Sequence, residues 1–151
     1  MKSMICLESI LLFNKIHRNF LNAVKHFLQK IGQTDLNPTQ AIILYSMGSN
    51  TLRASEVLTH YQGSNPSYNI KKMVNGAYIV TQENPLDRRL LLVSLSKKGK
   101  QFHEQMNQFL MDQEKRLSKE GFEAFSWNQL MEHGEKLEKF WRYSRYDQTY
   151  L

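Results

Sequence analysis

The stretch Asn84–Gly99, NPLDRRLLLVSLSKKG, decides the fold. It opens with a proline-led turn and an acid, and the run Leu90–Leu95 that follows is apolar and predicts a β-strand. The run Tyr78–Thr81 before the turn is also rich in β-forming residues. The two runs therefore predict a β-hairpin with Arg88 and Arg89 near its tip.

Helix signals surround this hairpin on both sides. The pairs Asn37-Pro38 and Asn65-Pro66 each place a good N-cap before a proline suited to the first helical turn. Ser96 is a third cap, directly after the hairpin. The predicted helices are, in order, a long first helix ending at Gly32, Pro38 to about Met47, about Arg53 to His60, Pro66 to about Asn75, a long helix after Ser96 and a last helix after Gly121.

This order of elements predicts a winged helix-turn-helix. Two short helices joined by a tight turn through Gly63 form the helix-turn-helix, and the hairpin lies beside the second helix as a wing. The first and last helices carry apolar stripes too long for this small unit to cover, so we expect a second copy of the chain to cover them. The predicted fold is mainly α with a small β-hairpin, with N- and C-terminal dimerisation helices. The dimerisation residues are Phe13, Trp127, Leu130, Leu137 and Trp141.

Composition limits the partners of the chain. It has 151 residues and a net charge of +6, which favours polyanions such as nucleic acid. The excess lies in residues 1–34, with five Lys or Arg against one acid, and in residues 53–95, with five against three. No apolar run approaches the length of a membrane span. The first residues continue with helical periodicity, so we interpret them as part of the fold and not as a signal peptide.

No motif in the sequence supports catalysis. The five histidines lack metal-ligand spacing, and there is no glycine-rich phosphate loop, nucleophile elbow or pair of carboxylates placed for hydrolysis. We therefore expect no enzymatic activity, metal or cofactor. Cys6 is the single cysteine, so no intrachain disulfide is possible and a reducing compartment, the cytoplasm, is the simpler expectation.

The chain resembles the MarR family of winged-helix transcription regulators. The strongest match is ENPLDRRLLLVSLSKKG, with the family's turn, Asp-x-Arg, strand and Leu-Ser pattern. SNPSYNIKKMVNGAYI is similar to the recognition helix and its exit, and LNPTQAIIL to the start of the second helix. The match covers nearly the whole chain by element order and residues 36–99 by motif. Where the family usually has glycine this chain has Ala77, with Gly76 one residue earlier, so we expect the helix exit to be shifted slightly.

The wing arginines then have distinct expected roles. An arginine at a wing tip can enter the minor groove, whose negative potential is strongest where the groove is narrow. The resemblance implies this role for Arg89, in the Asp-x-Arg pattern. Asp87 can hold Arg89 extended by an ion pair, and Arg88 is expected to contact a phosphate.

The helix that follows Asn65-Pro66 is the predicted recognition helix. Its short polar side chains and a tyrosine would face base edges in the major groove, with lysines reading guanine or gripping phosphate. Arg53, before the preceding helix, is a candidate phosphate clamp. The predicted contacts in and before the recognition helix are Ser64, Asn65, Ser67, Tyr68, Asn69, Lys71 and Lys72.

The resemblance also implies a pocket for a small aromatic or acidic effector. It would lie between the dimerisation helices and the winged unit, with His17, Phe20, Tyr45 and Met106 as candidate walls. We expect residues 35–99 to form the DNA-binding unit, and residues 1–34 with 100–151 the dimerisation region of one compact chain. The predicted partners are double-stranded DNA, a second copy and the effector.

Three alternatives stay open. The winged unit could bind another protein, so that the chain is a helical interaction module. A basic amphipathic first helix could instead bind a membrane surface. Finally, the chain could sense peroxide through Cys6, although an apolar helix start favours buried, inert packing for this cysteine.

Overall fold

The structure, a computed structural model, describes residues 2–57, 65–87, 90–121 and 125–143. Its elements follow the predicted order, with one additional strand. They are α1 (Lys2–Lys30), α2 (Pro38–Met47), β1 (Leu52–Arg53), α3 (Ala54–Val57), α4 (Pro66–Asn75), β2 (Ile79–Glu83), β3 (Leu91–Leu95), α5 (Lys97–Lys119) and α6 (Trp127–Tyr143). The predicted fold class, mainly α with a small antiparallel sheet in a winged helix-turn-helix, is confirmed.

The sheet has three strands in the order β1-β3-β2. The predicted hairpin is β2 with β3, paired from Ile79 opposite Leu95 to Glu83 opposite Leu91. Strand β1 was not predicted. The helix predicted from about Arg53 to His60 begins at Ala54, and residues 58–60 lie outside the described residues. Arg53 instead pairs with Leu92, because the other edge of β3 offers unpaired backbone groups to the short segment before α3.

The chain forms two compact units, residues 1–111 and 112–151, with the boundary inside α5. The first unit holds the core. Val24 of α1 and Phe102 of α5 are buried together with residues of α2, α4 and the sheet. Phe27 and Phe109 stack beside this core with ring centroids 4.6 Å apart. The helix-turn-helix elements and the N-terminal part of α5 therefore share one apolar interior.

Helix α4 ends in a Schellman motif centred on Ala77. The amide of Ala77 donates to Val74 O, and the amide of Tyr78 donates to Met73 O, both at 2.9 Å. Ala77 has φ 60°, the left-handed conformation that glycine usually supplies at this position. The expected shift of the exit toward Gly76 is wrong, because Gly76 keeps a right-handed helical conformation.

Tyr78 joins the end of α4 to the rest of the first unit. Its buried ring packs edge-on against Phe102, and its hydroxyl donates to Asp35 at 2.8 Å. Lys98 lies 4.0 Å from the centre of the same ring and donates to Gly76 O at 2.8 Å, which satisfies a carbonyl at the C-terminal end of α4. A Cβ added to Gly99 would collide with the carbonyl oxygen of Tyr78. Only glycine at this position therefore lets α5 approach the backbone of Tyr78 so closely.

The prediction that Cys6 is buried is wrong for the single chain. Its side chain is exposed near the start of α1. Among the described helices, none combines the length and the apolar character needed to cross a membrane.

We expect Ala77→Gly to stabilise the protein by about 1 kcal/mol. The substitution removes the steric cost of a Cβ in the left-handed region, about 1–2 kcal/mol, and adds a smaller entropic cost in the unfolded chain. Gly76→Ala is the matched control. Its Cβ would lie 2.9 Å from the Tyr78 ring and should destabilise the fold. Urea denaturation of both variants measures the effect, and a less stable Ala77→Gly would contradict the motif.

Asp35 should make stability depend on acid pH. Partial burial acts to raise the pKa of Asp35, but the hydrogen bonds from Tyr78 and its own backbone amide and the charge of Lys98 outweigh it, and the pKa is lowered below 3.8. A lowered carboxyl pKa contributes stability above about pH 4 that is lost as pH falls through the folded value. The stability difference between the unmodified protein and Asp35→Asn should therefore shrink between pH 5 and pH 2, in urea titrations at each pH. A constant difference would contradict this.

Candidate nucleic-acid interface

The start of α4 follows from the Asn65-Pro66 pair. Asn65 has an extended backbone, and its Oδ1 accepts from the amide of Tyr68 at 3.2 Å, while Pro66 occupies the first turn. This side chain satisfies one of the amides that a helix start leaves without a partner. The first turn of the predicted recognition helix is therefore formed locally, and its residues Ser67 and Tyr68 are exposed to solvent.

Helix α4 has two chemically distinct faces. Ile70, Met73 and Val74 face the core of the first unit. The exposed face carries Asn65, Ser67, Tyr68, Lys71 and Lys72. Tyr68 is 52% exposed, and the ammonium of Lys72 lies 5.6 Å from the centre of its ring. The exposed face thus combines hydrogen-bonding groups, one aromatic ring and two cations, the groups that bind bases and phosphates.

Asn69 does not belong to this face, so the prediction that it contacts DNA is wrong. Only 4% of its surface is exposed, and its Oδ1 accepts from Gln40 Nε2 of α2 at 3.1 Å. The reason is the helical period, which places Asn69 one turn before buried Met73. Neither Gln40 nor this hydrogen bond was predicted, because only the packing of α2 on α4 shows it.

Residues 84–87 and Leu90 of the loop between β2 and β3 are described. Asn84 Oδ1 accepts from the amide of Leu86 at 2.9 Å, and the amide of Asn84 donates to Leu90 O at 3.2 Å. Asp87 is exposed in this turn, as predicted. Leu86 is 95% exposed at the tip and was not singled out in the sequence. Arg88, Arg89 and Ser64, three of the predicted DNA contacts, lie outside the described residues.

Arg53 is exposed on the edge strand of the wing sheet. Its Nε lies 3.9 Å from Glu56 Oε1, and its amide donates to Glu56 Oε2 at 2.8 Å. The carboxylate therefore competes with a phosphate for the guanidinium, although exposed pairs of this kind are weak. Arg53 stays a candidate phosphate contact that must be shared with Glu56.

The candidate effector residues do not form one lining. His17 and Phe20 are exposed on α1. Met106 is only 1% exposed and belongs to the core, so the prediction that it lines a pocket is wrong. Tyr45 stacks on His103 at a centroid distance of 4.8 Å, and its hydroxyl donates to Asn107 at 3.0 Å. His103 and Asn107 were not predicted, because their role depends on how α5 packs on α2.

The candidate dimerisation residues remain uncovered in the single chain. In the first unit, Phe13 is 42% exposed on α1. In the second unit, Trp127, Leu130 and Trp141 of α6 are exposed, and Leu137 is partly buried. Within the described ranges, no cluster of three His, Cys, Asp or Glu side chains is placed to hold a metal ion.

Comparisons with known proteins agree with this architecture. No family model matches the chain. It is 35% identical over 103 residues to the exopolysaccharide II synthesis transcriptional activator ExpG of Rhizobium meliloti, a match that covers 67% of this chain and 53% of ExpG. The chain therefore spans about half the length of the curated relative that it matches.

Two solved structures share the fold over most of the chain. AbsC, a MarR-family transcriptional regulator of Streptomyces coelicolor, superposes with a TM-score of 0.68 at 18% identity and covers 96% of both chains. A mutant of MarR from E. coli in complex with operator DNA gives a TM-score of 0.66 at 18% identity over 91% of this chain and 95% of that one. The resemblance inferred from the wing and recognition-helix motifs is thereby confirmed at the level of structure: the chain has the winged-helix fold of the MarR-family transcriptional regulators.

Proposed function

We propose that the protein is a DNA-binding transcription regulator that acts as a homodimer on an inverted-repeat operator. The observation that carries the proposal is the exposed face of α4, on which Ser67, Tyr68, Lys71 and Lys72 stand free of the core. This helix is capped at both ends and leads directly into the wing. The operator complex of the E. coli MarR mutant, a protein of the same fold, and the naming of ExpG as a transcriptional activator support this function.

The two parts of the interface would have separate tasks. In the major groove, Asn65, Ser67 and Tyr68 of the first turn would meet base edges, since a docked recognition helix presents its N-terminal residues to the bases. Lys71 and Lys72, one turn later, would contact guanine or the phosphates. Phosphate contacts set position and affinity, and base contacts set sequence preference.

The wing would lie along the adjacent minor groove. Arg89 would enter the groove, Asp87 would orient it, and Arg88 would contact a phosphate. Leu86, almost fully exposed at the tip, adds an apolar side chain suited to contact with sugars at the groove wall. Arg53 would contribute a further phosphate contact from the edge of the sheet.

A homodimer would present two recognition helices about one turn of B-DNA apart, about 34 Å. The exposed apolar residues of α1, such as Phe13, and of α6, such as Trp141, support such an assembly. Isolated apolar side chains are common on surfaces, but contiguous stripes along two long helices indicate an interface. The protein would act in the cytoplasm, where the DNA is accessible.

A small aromatic or acidic effector would change the affinity of the dimer for DNA. The stacked Tyr45 and His103 rings, with Asn107 as a hydrogen-bonding group, support a site between α2 and α5 that Phe20 and His17 of α1 would border. An effector that binds one dimer geometry better than the other would shift DNA affinity by that difference.

Selection of bound duplexes from random sequence tests the function directly. We expect enrichment of an inverted repeat, together with a steep fall in affinity as salt concentration rises, because phosphate contacts release counterions. Binding that is insensitive to salt and unselective for sequence would contradict a DNA regulator and favour the protein-interaction module.

The wing arginines should differ in their effects. Arg89→Ala should cost about 1–3 kcal/mol of binding free energy, with a larger loss on operators that have A·T-rich flanks. Arg88→Ala should weaken binding to all sequences alike and lower the salt slope by about one. Titration against one operator and a flank-shuffled copy at several salt concentrations measures both.

Asp87→Ala provides the control for orientation. Alone it should weaken binding, and in the Arg89→Ala background it should add little, because an orienting ion pair acts only through its partner. If Arg89→Ala binds both duplexes as tightly as the unmodified protein, the wing does not read the minor groove.

Dimer formation should depend on the apolar face of α6. The unmodified protein should sediment as a dimer at micromolar concentration, and Trp141→Glu should weaken assembly by placing a charge in the interface. Gln129→Glu, at an exposed neutral residue of the same helix, is a matched control that also adds one negative charge. A monomer across the micromolar range would contradict the proposed architecture.

A further inference from the structure

Helix α4 is tied to α2 by a single buried polar connection. Gln40 and Asn69 are 3% and 4% exposed, and they are the buried polar residues among the described parts of the chain. Gln40 Nε2 donates to Asn69 Oδ1 at 3.1 Å, across 29 residues of sequence. Apolar side chains such as Ile70 and Met73 also seat α4 on the core, and Lys98 binds the Gly76 carbonyl at the exposed C-terminal end of the helix.

The direction of this hydrogen bond is set by a backbone amide. Gln40 Oε1 accepts from the amide of Asn37 at 3.1 Å, and Asn37 Oδ1 accepts from the amide of Gln40 at 2.8 Å, a capping box at the start of α2. Because a backbone amide can only donate, Gln40 must turn its oxygen toward Asn37 and its nitrogen toward α4. Asn69 must then present its oxygen. The amide of Asn37, the side chain of Gln40 and the side chain of Asn69 form a relay with one possible orientation.

Such a relay restricts the rotation of α4 in a way that apolar packing does not. Hydrophobic contact is non-directional, so a small rotation of α4 costs it little. A hydrogen bond weakens steeply as its angle departs from linearity, and a buried group that loses its partner is penalised. Since one residue corresponds to 100° around a helix, a modest rotation would change which side chains of α4 face outward.

We infer that the Gln40–Asn69 relay is a positioning device for sequence recognition, which sets the angle at which Ser67, Tyr68 and Lys71 meet the bases. The inference rests on the proposed DNA-binding function. Asn69 itself would touch no base. Buried polar pairs are known to fix the register of packed helices, and here the register in question is that of the recognition helix.

Three substitutions test the relay. Gln40→Met and Asn69→Leu each remove the hydrogen bond and keep a side chain of similar length, and the double variant removes both partners. Gln40→Met also removes the acceptor of the Asn37 amide. Each single variant should lower the ratio of affinities for the selected operator and a scrambled duplex about tenfold, while affinity for the scrambled duplex stays unchanged. The double variant should lower the ratio no further than either single one, since both act through one interaction.

Two conservative variants separate positioning from other roles. Asn69→Asp keeps an oxygen that accepts from Gln40, although the buried carboxylate should lower stability and overall affinity. Its ratio of affinities should therefore stay above that of Asn69→Leu, whereas an asparagine that reads adenine directly would lose the preference in both variants. Asn37→Ala weakens the α2 cap but keeps the backbone amide that orients Gln40. It should therefore lower the thermal midpoint of unfolding and leave the affinity ratio unchanged.

The outcomes that overturn the inference are specific. If Asn69→Leu changes the selected sequence and Gln40→Met does not, Asn69 reads a base itself. If both lower the thermal midpoint and neither changes the affinity ratio, the pair is only structural.

A measurement without DNA keeps the relay testable if the proposed function fails. In ¹H–¹⁵N spectra, Gln40→Met and Asn69→Leu should shift the same amide signals of α4, and the double variant should add no further shift. Unmoved α4 signals in Gln40→Met would overturn the relay. An unmodified protein that binds operator and scrambled duplex equally would overturn the proposed function instead.

Discussion

The structure depends on how the chain leaves α4 at Tyr78. Within about one residue the backbone must end a helix, turn through the left-handed conformation of Ala77 and enter the wing. The buried ring of Tyr78 secures this exit from inside, its hydroxyl binds Asp35, and its carbonyl accepts from the amide of Ser96 at 2.9 Å. Burial and the neighbouring Asp35 carboxylate raise the pKa of Tyr78, as expected for a hydroxyl that donates to that carboxylate. One residue thereby connects the recognition helix, the wing and α5.

The start of α5 is built onto the same point. Ser96 Oγ accepts from the amide of Gly99 at 3.0 Å and donates to Ala77 O at 2.6 Å, so the cap of α5 also holds the strained residue. The absence of a side chain at Gly99 permits this close approach. The conformational cost at Ala77 is thus offset by hydrogen bonds to α4, through Val74, and to the cap of α5, through Ser96. Contacts of this kind keep a residue in a sparsely populated backbone region.

The two faces of α4 separate the side chains that pack in the core from those proposed to bind DNA. The inner face holds the apolar contacts and the relay to Gln40, and the outer face is left to polar and cationic side chains. A substitution on the outer face can therefore change binding with little effect on the core, whereas one on the inner face affects both. The exposed apolar residues of α1 and α6 form a third set, which the proposed homodimer would bury.

The sequence by itself determined the elements whose signals are local: the Asn-Pro helix starts, the strand-forming runs on either side of the wing turn, and the Ser96 cap. It also indicated most of the outer face of α4, because helical periodicity separates Tyr68 and Lys72 from Met73. Only the tertiary structure decided that Arg53 lies in a strand, that Asn69 is buried and that Ala77 takes a positive φ. Each of these has a distant partner: the free edge of β3 for Arg53, Gln40 across 29 residues for Asn69, and the Ser96 hydroxyl across 19 residues for Ala77. No short window of sequence contains both sides of such a contact.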